Sequence, residues 1–329
     1  MSKHATVVIL SDKNDAHLPF VTRHLVARHI VIDPAQMQYG VELSYAIRKG
    51  VLRVLYDGTV LDSLGGEVVS VWCRKPQDFT MGLLPVSEDY VHYAASASQG
   101  HADILRSLFP NALWVSDYYR MKRASSKPWQ LQVAHQIGFS TPDTLMTSSN
   151  EAAKRFLEKH KTVIVKTLAK VFPHASDPNS KPVAFFAKKL TLGDSVHLTG
   201  LEVAPAIFQQ AIDVDVDIRV SVVGDEVFAA TIRGSAIDKA DSTVRDWRIA
   251  HCEGDMLIEP YDLPKDIARM CIQHVKALGL CFGAIDIVKD KRGFYWFLEN
   301  NPNGQWAFVE EETGQPIGKA VAQLLESRH

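Results

Sequence analysis

The stretch from Phe282 to Trp306 constrains this chain more than any other. Two apolar runs flank Lys291-Arg292-Gly293, a turn signal, so the segment reads as a β-hairpin. Each run carries an acid among apolar neighbours, Asp286 in the first and Glu299 near the end of the second. A buried carboxylate without a partner is costly. Taken alone, Asp286 is most simply read as ion-paired to a lysine or arginine. Taken with Glu299 on the neighbouring strand and the amide of Asn301 two residues on, it forms an all-oxygen cluster. Hard cations take oxygen ligands, and Mg²⁺ bridging nucleotide phosphates is the commonest such use. A metal site at Asp286, Glu299 and Asn301 is therefore expected.

The pattern Asp…Glu-x-Asn-Pro near the C-terminus resembles the metal-binding end of the ATP-grasp ligases. The run Phe297-Leu298-Glu299-Asn300-Asn301-Pro302-Asn303-Gly304-Gln305-Trp306 is narrower. It resembles the ATP-grasp macrocyclases of microviridin-type peptides, the graspetides. That resemblance implies an α/β chain with an N-terminal pre-ATP-grasp α/β domain (1–118), a central ATP-grasp subdomain (119–205) and a C-terminal subdomain holding the metal site (206–329).

The composition is compatible with this. At 329 residues the chain can bury a large core in two or three subdomains. A net charge of −2 makes no general electrostatic case for nucleic acid or membrane. No apolar run reaches transmembrane length, and Ala5 to Leu10 is too short for a signal sequence. Cys73, Cys252, Cys271 and Cys281 have no C-x-x-C spacing, so neither a disulfide framework nor a zinc site is indicated, and a reducing cytoplasm fits.

Along the chain, Thr6–Leu10 reads as a buried strand, followed by a helix from about Leu18 to Ala27 and short strands near Val31–Asp33, Val68–Cys73 and Ala112–Val115. A helix is expected over Tyr90–Leu108. Strands alternating with helices indicate a doubly wound unit over roughly 1–118. No G-x-G-x-x-G follows the first strand, so a Rossmann dinucleotide site is not supported. Trp72-Cys73-Arg74-Lys75-Pro76 resembles the Trp-Tyr-Arg-Arg-Pro of the graspetide ligases; without that context it is a strand end with a solvated basic pair.

From residue 119 a basic segment becomes an amphipathic helix that closes at Gly138. Its Ala-x-x-Lys-x-x-Gln-Leu is similar to the entry of the ATP-grasp core and implies that Lys127 reaches a nucleotide phosphate; an exposed lysine beside Lys122 and Arg123 is the plain alternative. After a helix over Glu151–Lys159, the apolar strand Thr162–Leu168 contains Lys166. An ammonium there needs an anion or must snorkel to solvent; the second ATP-grasp lysine falls at this position, and we read it as a phosphate ligand. Residues 169–182 form a turn-rich loop without the glycines of a phosphate lid. Pro205–Ile212 resembles the ATP-grasp hinge, which implies that backbone groups around Gln209, Gln210 and Ile212 meet the adenine edge.

Asp217–Ala230 reads as two strands joined at Gly224-Asp225. An inward Arg219 suits a γ-phosphate or acyl-phosphate, because its planar fork binds oxyanions in a bidentate manner; a structural Asp217–Arg219 network is the alternative. Asp213, Asp215 and Asp217 all remain candidates for the ribose. Asp246-Trp247-Arg248 is similar to a triplet that lies by the phosphoryl-transfer site of graspetide ligases. Arg233 departs from that subfamily, in which a small residue is more usual, and matches glutamate-adding ligases. The helices Pro264–Leu278 and Gly318–Leu325 follow, with Glu310-Glu311-Glu312 read as a solvated acidic face.

The resemblance implies ATP and Mg²⁺ as cofactors and a precursor peptide, leader plus core, as partner, on a possible homodimer. A Glu or Asp side chain would be phosphorylated by ATP and then joined to Thr, Ser or Lys. An ATP-grasp ligase adding an amino acid to a protein tail or small acid is the second reading, and a non-catalytic nucleotide-binding protein the third.

Overall fold

The computed structural model describes residues 5–75, 87–168, 187–193, 198, 200–234 and 256–327. In the N-terminal part, β1 (Thr6–Ser11), α1 (Leu18–Thr22), β2 (Arg28–Ile32), β3 (Leu43–Arg48), β4 (Val51–Tyr56), β5 (Thr59–Asp62), β6 (Val68–Lys75), α2 (Val91–Leu105) and β7 (Leu113–Val115) follow one another. The sheet order is β2-β1-β6-β7, all parallel. Every residue of β1 is buried, as suits a parallel strand covered on both faces.

The connection from β2 to β6 differs from a simple helical crossover. It contains a separate antiparallel sheet, β3-β4-β5. Its turns fall at Lys49-Gly50 and Asp57-Gly58, where all four residues have positive φ, the backbone of the tightest hairpin turns. Helix α1 also stops at Thr22, five residues earlier than the sequence pattern indicates.

Two short helices come next, α3 (Tyr118–Ala124) and α4 (Lys127–Ile137), the second closed by Gly138 in the left-handed region at φ 107°. The central sheet is built from β8 (Thr144–Thr147), β9 (Thr162–Thr167), β10 (Lys188–Thr191) and β11 (Ala206–Gln210), in the antiparallel order β10-β9-β11-β8. One face carries Val163, Leu190 and Phe208, which pack with Ala153 and Leu157 of α5 (Asn150–His160). Strand periodicity places Met146, Lys166, Ile207 and Gln209 on the other face.

The C-terminal sheet contains β12 (Val214–Val223), β13 (Glu226–Gly234), β14 (Met256–Pro260), β15 (Phe282–Asp290) and β16 (Tyr295–Asn301), in the antiparallel order β14-β13-β12-β15-β16. Ile218, Val220, Ile285, Ile287 and Phe297 form a core with α3, α4 and α6 (Lys265–Ala277). Against the other face lie α7 (Ala307–Thr313) and α8 (Ile317–Glu326), in a second core shared with Val7, Ile9, Leu18 and Trp72 of the N-terminal part. A Cβ on Gly318 would stand 2.3 Å from the carbonyl oxygen of Phe20, so α8 meets the end of α1 at backbone distance.

Glu310 corrects the expectation of a solvated acidic face. It is buried, accepts from Arg23 at 2.5 Å and from the Gly318 amide at 2.6 Å, and so caps the first turn of α8. Glu311 and Glu312 are exposed as expected.

His274 of α6 is fully buried; its Nε2 donates to Gln130 O at 3.1 Å, and burial lowers its pKa to about 4. The folded chain therefore keeps it neutral, whereas an unfolded histidine titrates near 6.5. Stability from this source is complete above pH 6.5 and is lost as pH falls towards 4, by about 3 kcal/mol. Denaturation midpoints should decline over that window, and less so in a His274→Gln variant. An identical pH profile for the two proteins would contradict the assignment.

Candidate active site

Position 298 decides where the acids point. Ile287 pairs with Phe297 and Asp286 with Glu299, so Leu298 is an extra residue in β16. Without this bulge Glu299 would share the face of Phe297, which is buried in the α6 core. With it, Glu299 turns to the opposite face beside Asp286, the kind of re-aiming for which bulges next to functional sites are known. Asn301 opposes Ala284 on the same face as Asp286.

Arg219, Asp286 and Glu299 occupy directly paired positions across β12, β15 and β16. Arg219 Nη1 donates to Asp286 Oδ1 at 2.7 Å, and Lys127 Nζ lies 3.3 Å from Glu299 Oε2. The result is a row of alternating charge, Arg219–Asp286–Glu299–Lys127. The two acids expected at the metal thus also hold two of the bases expected at the phosphates. Burial pushes the Asp286 carboxyl above its ordinary range; Arg219 opposes this, and the facing charge of Glu299 adds to it. An oxygen-only pair of carboxylates under this mutual repulsion, with an amide beside it, fits a hard divalent cation.

The second half of the site is a narrow cleft between the central sheet, α4 and β16. It is lined by Leu131, Met146, Ile207 and Leu298, with Lys127, Lys166, Gln209 and Glu299 at its polar side. Lys166 Nζ donates to Gln209 Oε1 at 2.9 Å, and Gln209 Nε2 donates to Thr144 Oγ1 at 3.2 Å. Lys127 sits in the first turn of α4, where the helix presents unsatisfied N–H groups. In chemical terms the cleft brings together apolar side chains, two lysines and the Glu299 end of the charge row.

Several sequence expectations take a definite position here. Lys127, Lys166 and Gln209 share the cleft lining with Glu299. In the hinge, the Gln210 amide donates to Asp143 O at 2.9 Å and the Ala211 amide to Thr162 O at 3.3 Å. Asp217 is half-buried and has the same strand parity as Arg219, while Asp213 and Asp215 are exposed and Asp213 pairs with Lys291 at 2.9 Å. Asp246 and Arg248 lie outside the described residues, as does the loop 169–182.

Two contributors were not expected. Gln130 is buried; its amide donates to Ala124 O and Asn300 O, both at 2.7 Å, and accepts from the Asn300 amide at 2.9 Å. It thereby ties α4, which carries Lys127, to the residue beside Glu299. Its signal was a polar side chain in the same helical stripe as Ala134 and Ile137. Arg74 is the other. Instead of being a solvated strand-end cation it is 1% exposed and bonds to the 303–305 segment. The alternative of a solvated basic pair therefore fails for Arg74, whereas Lys75 is exposed.

Comparison with known proteins follows the same lines. A family profile described as the RimK-like ATP-grasp domain matches residues 124–325. No curated protein matches the sequence. Among solved structures, the fold is similar to a RiPP-associated ATP-grasp ligase of Chryseobacterium gregarium in complex with ADP and a leader and core peptide. The TM-score is 0.85 at 22% identity, over 98% of this chain and 96% of that one. It is also similar to the macrocyclase MdnC of Microcystis aeruginosa bound with precursor peptide MdnA, at TM-score 0.82 and 24% identity over 98% and 99% of the two chains. The ATP-grasp ligase PsnB, complexed with a phosphomimetic variant of its minimal precursor, Mg and ADP, gives 0.74 at 20% identity over 98% and 97%. At these identities the likeness is one of fold.

The acid row leaves no room for a side chain at Gly304. A Cβ there would lie 2.4 Å from Ala284 Cβ and 2.9 Å from Arg219 Nη2. Gly304→Ala should cost about 1–3 kcal/mol in denaturant unfolding, the usual penalty of overpacking. A midpoint equal to that of the parent would show that the segment yields freely.

Proposed function

This chain belongs to the RimK-like ATP-grasp family, and on that premise we propose that it is an ADP-forming ligase that macrocyclises a ribosomal precursor peptide. The observation that carries the reading is the charge row, whose Glu299 and Lys127 end lines the cleft. A nucleotide seated with its base against Leu131, Met146, Ile207 and Leu298 would direct its phosphates towards Lys127, Lys166 and the acids.

Mg²⁺ held by Asp286, Glu299 and Asn301 would neutralise charge on the β- and γ-phosphate oxygens. Lys127 and Lys166 hold the phosphates, Lys127 with help from the N-terminus of α4. A peptide carboxylate attacks the γ-phosphorus in line, ADP leaves, and Arg219 stabilises the dispersed charge of the transferring group. Arg248, with Asp246, is assigned to the same transfer from its Asp-Trp-Arg triplet. A Thr, Ser or Lys side chain of the same peptide then attacks the acyl carbon and phosphate leaves, closing an ester or amide ring. Adenine contacts pass to Ile212 and the hinge carbonyls, since the Gln210 and Ala211 amides already serve the sheets. Of the three acids we assign the ribose contact to Asp217, which is half-buried and shares the strand parity of Arg219.

The precursor peptide as partner is supported by the fold shared with ligases solved with such peptides. A cytoplasmic setting fits the free Cys73, Cys271 and Cys281, and no helix among the described residues is long and apolar enough to cross a membrane. A homodimer is carried by the resemblance alone. Amino-acid addition is the second reading, carried by the resemblance at Arg233 alone, which strand parity sets on the face opposite Arg219.

The test is the intact mass of an acidic, Thr- and Ser-rich candidate precursor peptide after incubation with enzyme, Mg²⁺ and ATP. One water mass should be lost per ring, and none with Asp286→Asn. A gain of one residue mass would move the assignment to amino-acid addition, and no ADP would refute both. For the nucleotide half, Lys166→Ala should raise KM for ATP at least about tenfold, the cost of one charge-assisted contact. An unchanged KM would remove Lys166 from the phosphate set.

A further inference from the structure

Arg74 lies at the end of β6, outside the segment that matches the ligase family. Its guanidinium nevertheless converges on the turn that follows the acid-bearing strand. Nη1 donates to Asn303 O at 2.8 Å, to Asn303 Oδ1 at 2.6 Å and to Gly304 O at 3.2 Å, while Nη2 donates to Gln305 Oε1 at 3.2 Å. Behind it stand Asp15, 3.5 Å from Nε, and the His17 ring, whose two nitrogens both lie 3.1 Å from Nη2. His17 is fixed in turn: Nδ1 pairs with Asp15 Oδ1 at 2.7 Å and Nε2 accepts the Trp306 amide at 3.0 Å.

The held turn reaches the row on its other side. Gln305 O accepts from Arg219 Nη2 at 2.9 Å, and Gly304 presses against the same guanidinium closely enough to exclude a Cβ. Arg74 and Arg219 thus grip one three-residue segment from opposite sides, each with a carboxylate beyond it, Asp15 and Asp286 respectively. Two like charges this close repel. Burial, opposed by Asp15 and aided to a smaller extent by the field of Arg219, lowers the pKa of Arg74 to about 10, so Arg74 stays charged at neutral pH. A turn held only by packing could let Arg219 rotate away from Asp286. A multidentate guanidinium removes that freedom, which a single ammonium could not.

We infer that Arg74 is a positioning residue for phosphoryl transfer: from the N-terminal domain it fixes the 303–305 turn, and through Gln305 O it sets the orientation of Arg219. This rests on the proposed function, in which Arg219 faces the transferring phosphoryl group. Arg74 touches no reacting atom, so its signature is a loss in kcat without a loss in nucleotide binding. Displacing a catalytic group by about an ångström can cost up to about 100-fold in rate.

The experiment measures Mg·ADP binding by calorimetry and ring formation on the same candidate precursor peptide, with kcat expressed per nucleotide-binding site. For Arg74→Lys, Mg·ADP affinity and KM for ATP should stay within about twofold of the parent while kcat falls about 10- to 100-fold. In an Arg219→Lys background the same change should cost little more, since the two act as one unit. Undiminished kcat, a parallel rise in KM, or full additivity with Arg219→Lys would each overturn the inference. If Arg74→Lys binds no Mg·ADP and fails to fold, Asn303→Ala decides, because it removes one acceptor without burying an unpaired charge. A several-fold drop in kcat at constant KM supports the inference, and parent-like kcat overturns it. An inactive parent enzyme would point instead to failure of the proposed function, and the inference would fall with it.

Discussion

Everything at the candidate site depends on holding two carboxylates side by side on adjacent strands. Asp286 and Glu299 face each other across β15 and β16, and their repulsion must be offset for the sheet to close. Arg219 and Lys127 do this from the two ends of the row, at 2.7 and 3.3 Å. In the proposed function the same row would also seat a divalent cation, so that ion pair and metal ligand would share one arrangement.

That constraint propagates outwards. The bulge at Leu298 is needed to aim Glu299, and Gln130 is needed to hold α4, and with it Lys127, against β16. On the opposite side, Arg74 and His17 hold the turn that holds Arg219. The N-terminal part is joined to this frame through the shared core of α8, where close approach at Gly318 leaves the two parts little freedom to separate. The family module alone, from residue 124 onward, would lack Arg74, His17 and Asp15.

Much of this was legible in the chain. The hairpin announced itself through Lys-Arg-Gly between two apolar runs, and the acids through their misfit with those runs. Lys166 was legible as a cation inside an apolar strand, and Gly138 as a helix stop. The failures have physical causes. Asp57-Gly58 is a strong hairpin signal, yet a pattern of strands alternating with helices gives β3–β5 no place, and their exposed positions mix Arg48 and Arg53 with Ile47 and Val60. The helix after β1 is shorter than its apolar spacing because the amides of His24 and Leu25 bond three residues back instead of four. Arg74 and Glu310 read as solvated because Asn303 and Arg23, which hold them, lie more than 200 residues away in sequence, and no local pattern encodes a contact of that span. The bulge at Leu298 was invisible for a related reason: a one-residue register change alters pairing and leaves composition untouched.

The central claim is that this site activates a carboxylate by phosphorylation. The most direct measurement is oxygen tracing with a precursor peptide whose side-chain carboxylates carry ¹⁸O. If an acyl-phosphate forms, one labelled oxygen should appear in inorganic phosphate for every ring closed, because the bond that breaks in the second step leaves the carboxylate oxygen on phosphorus. Rings formed with unlabelled phosphate would contradict the account.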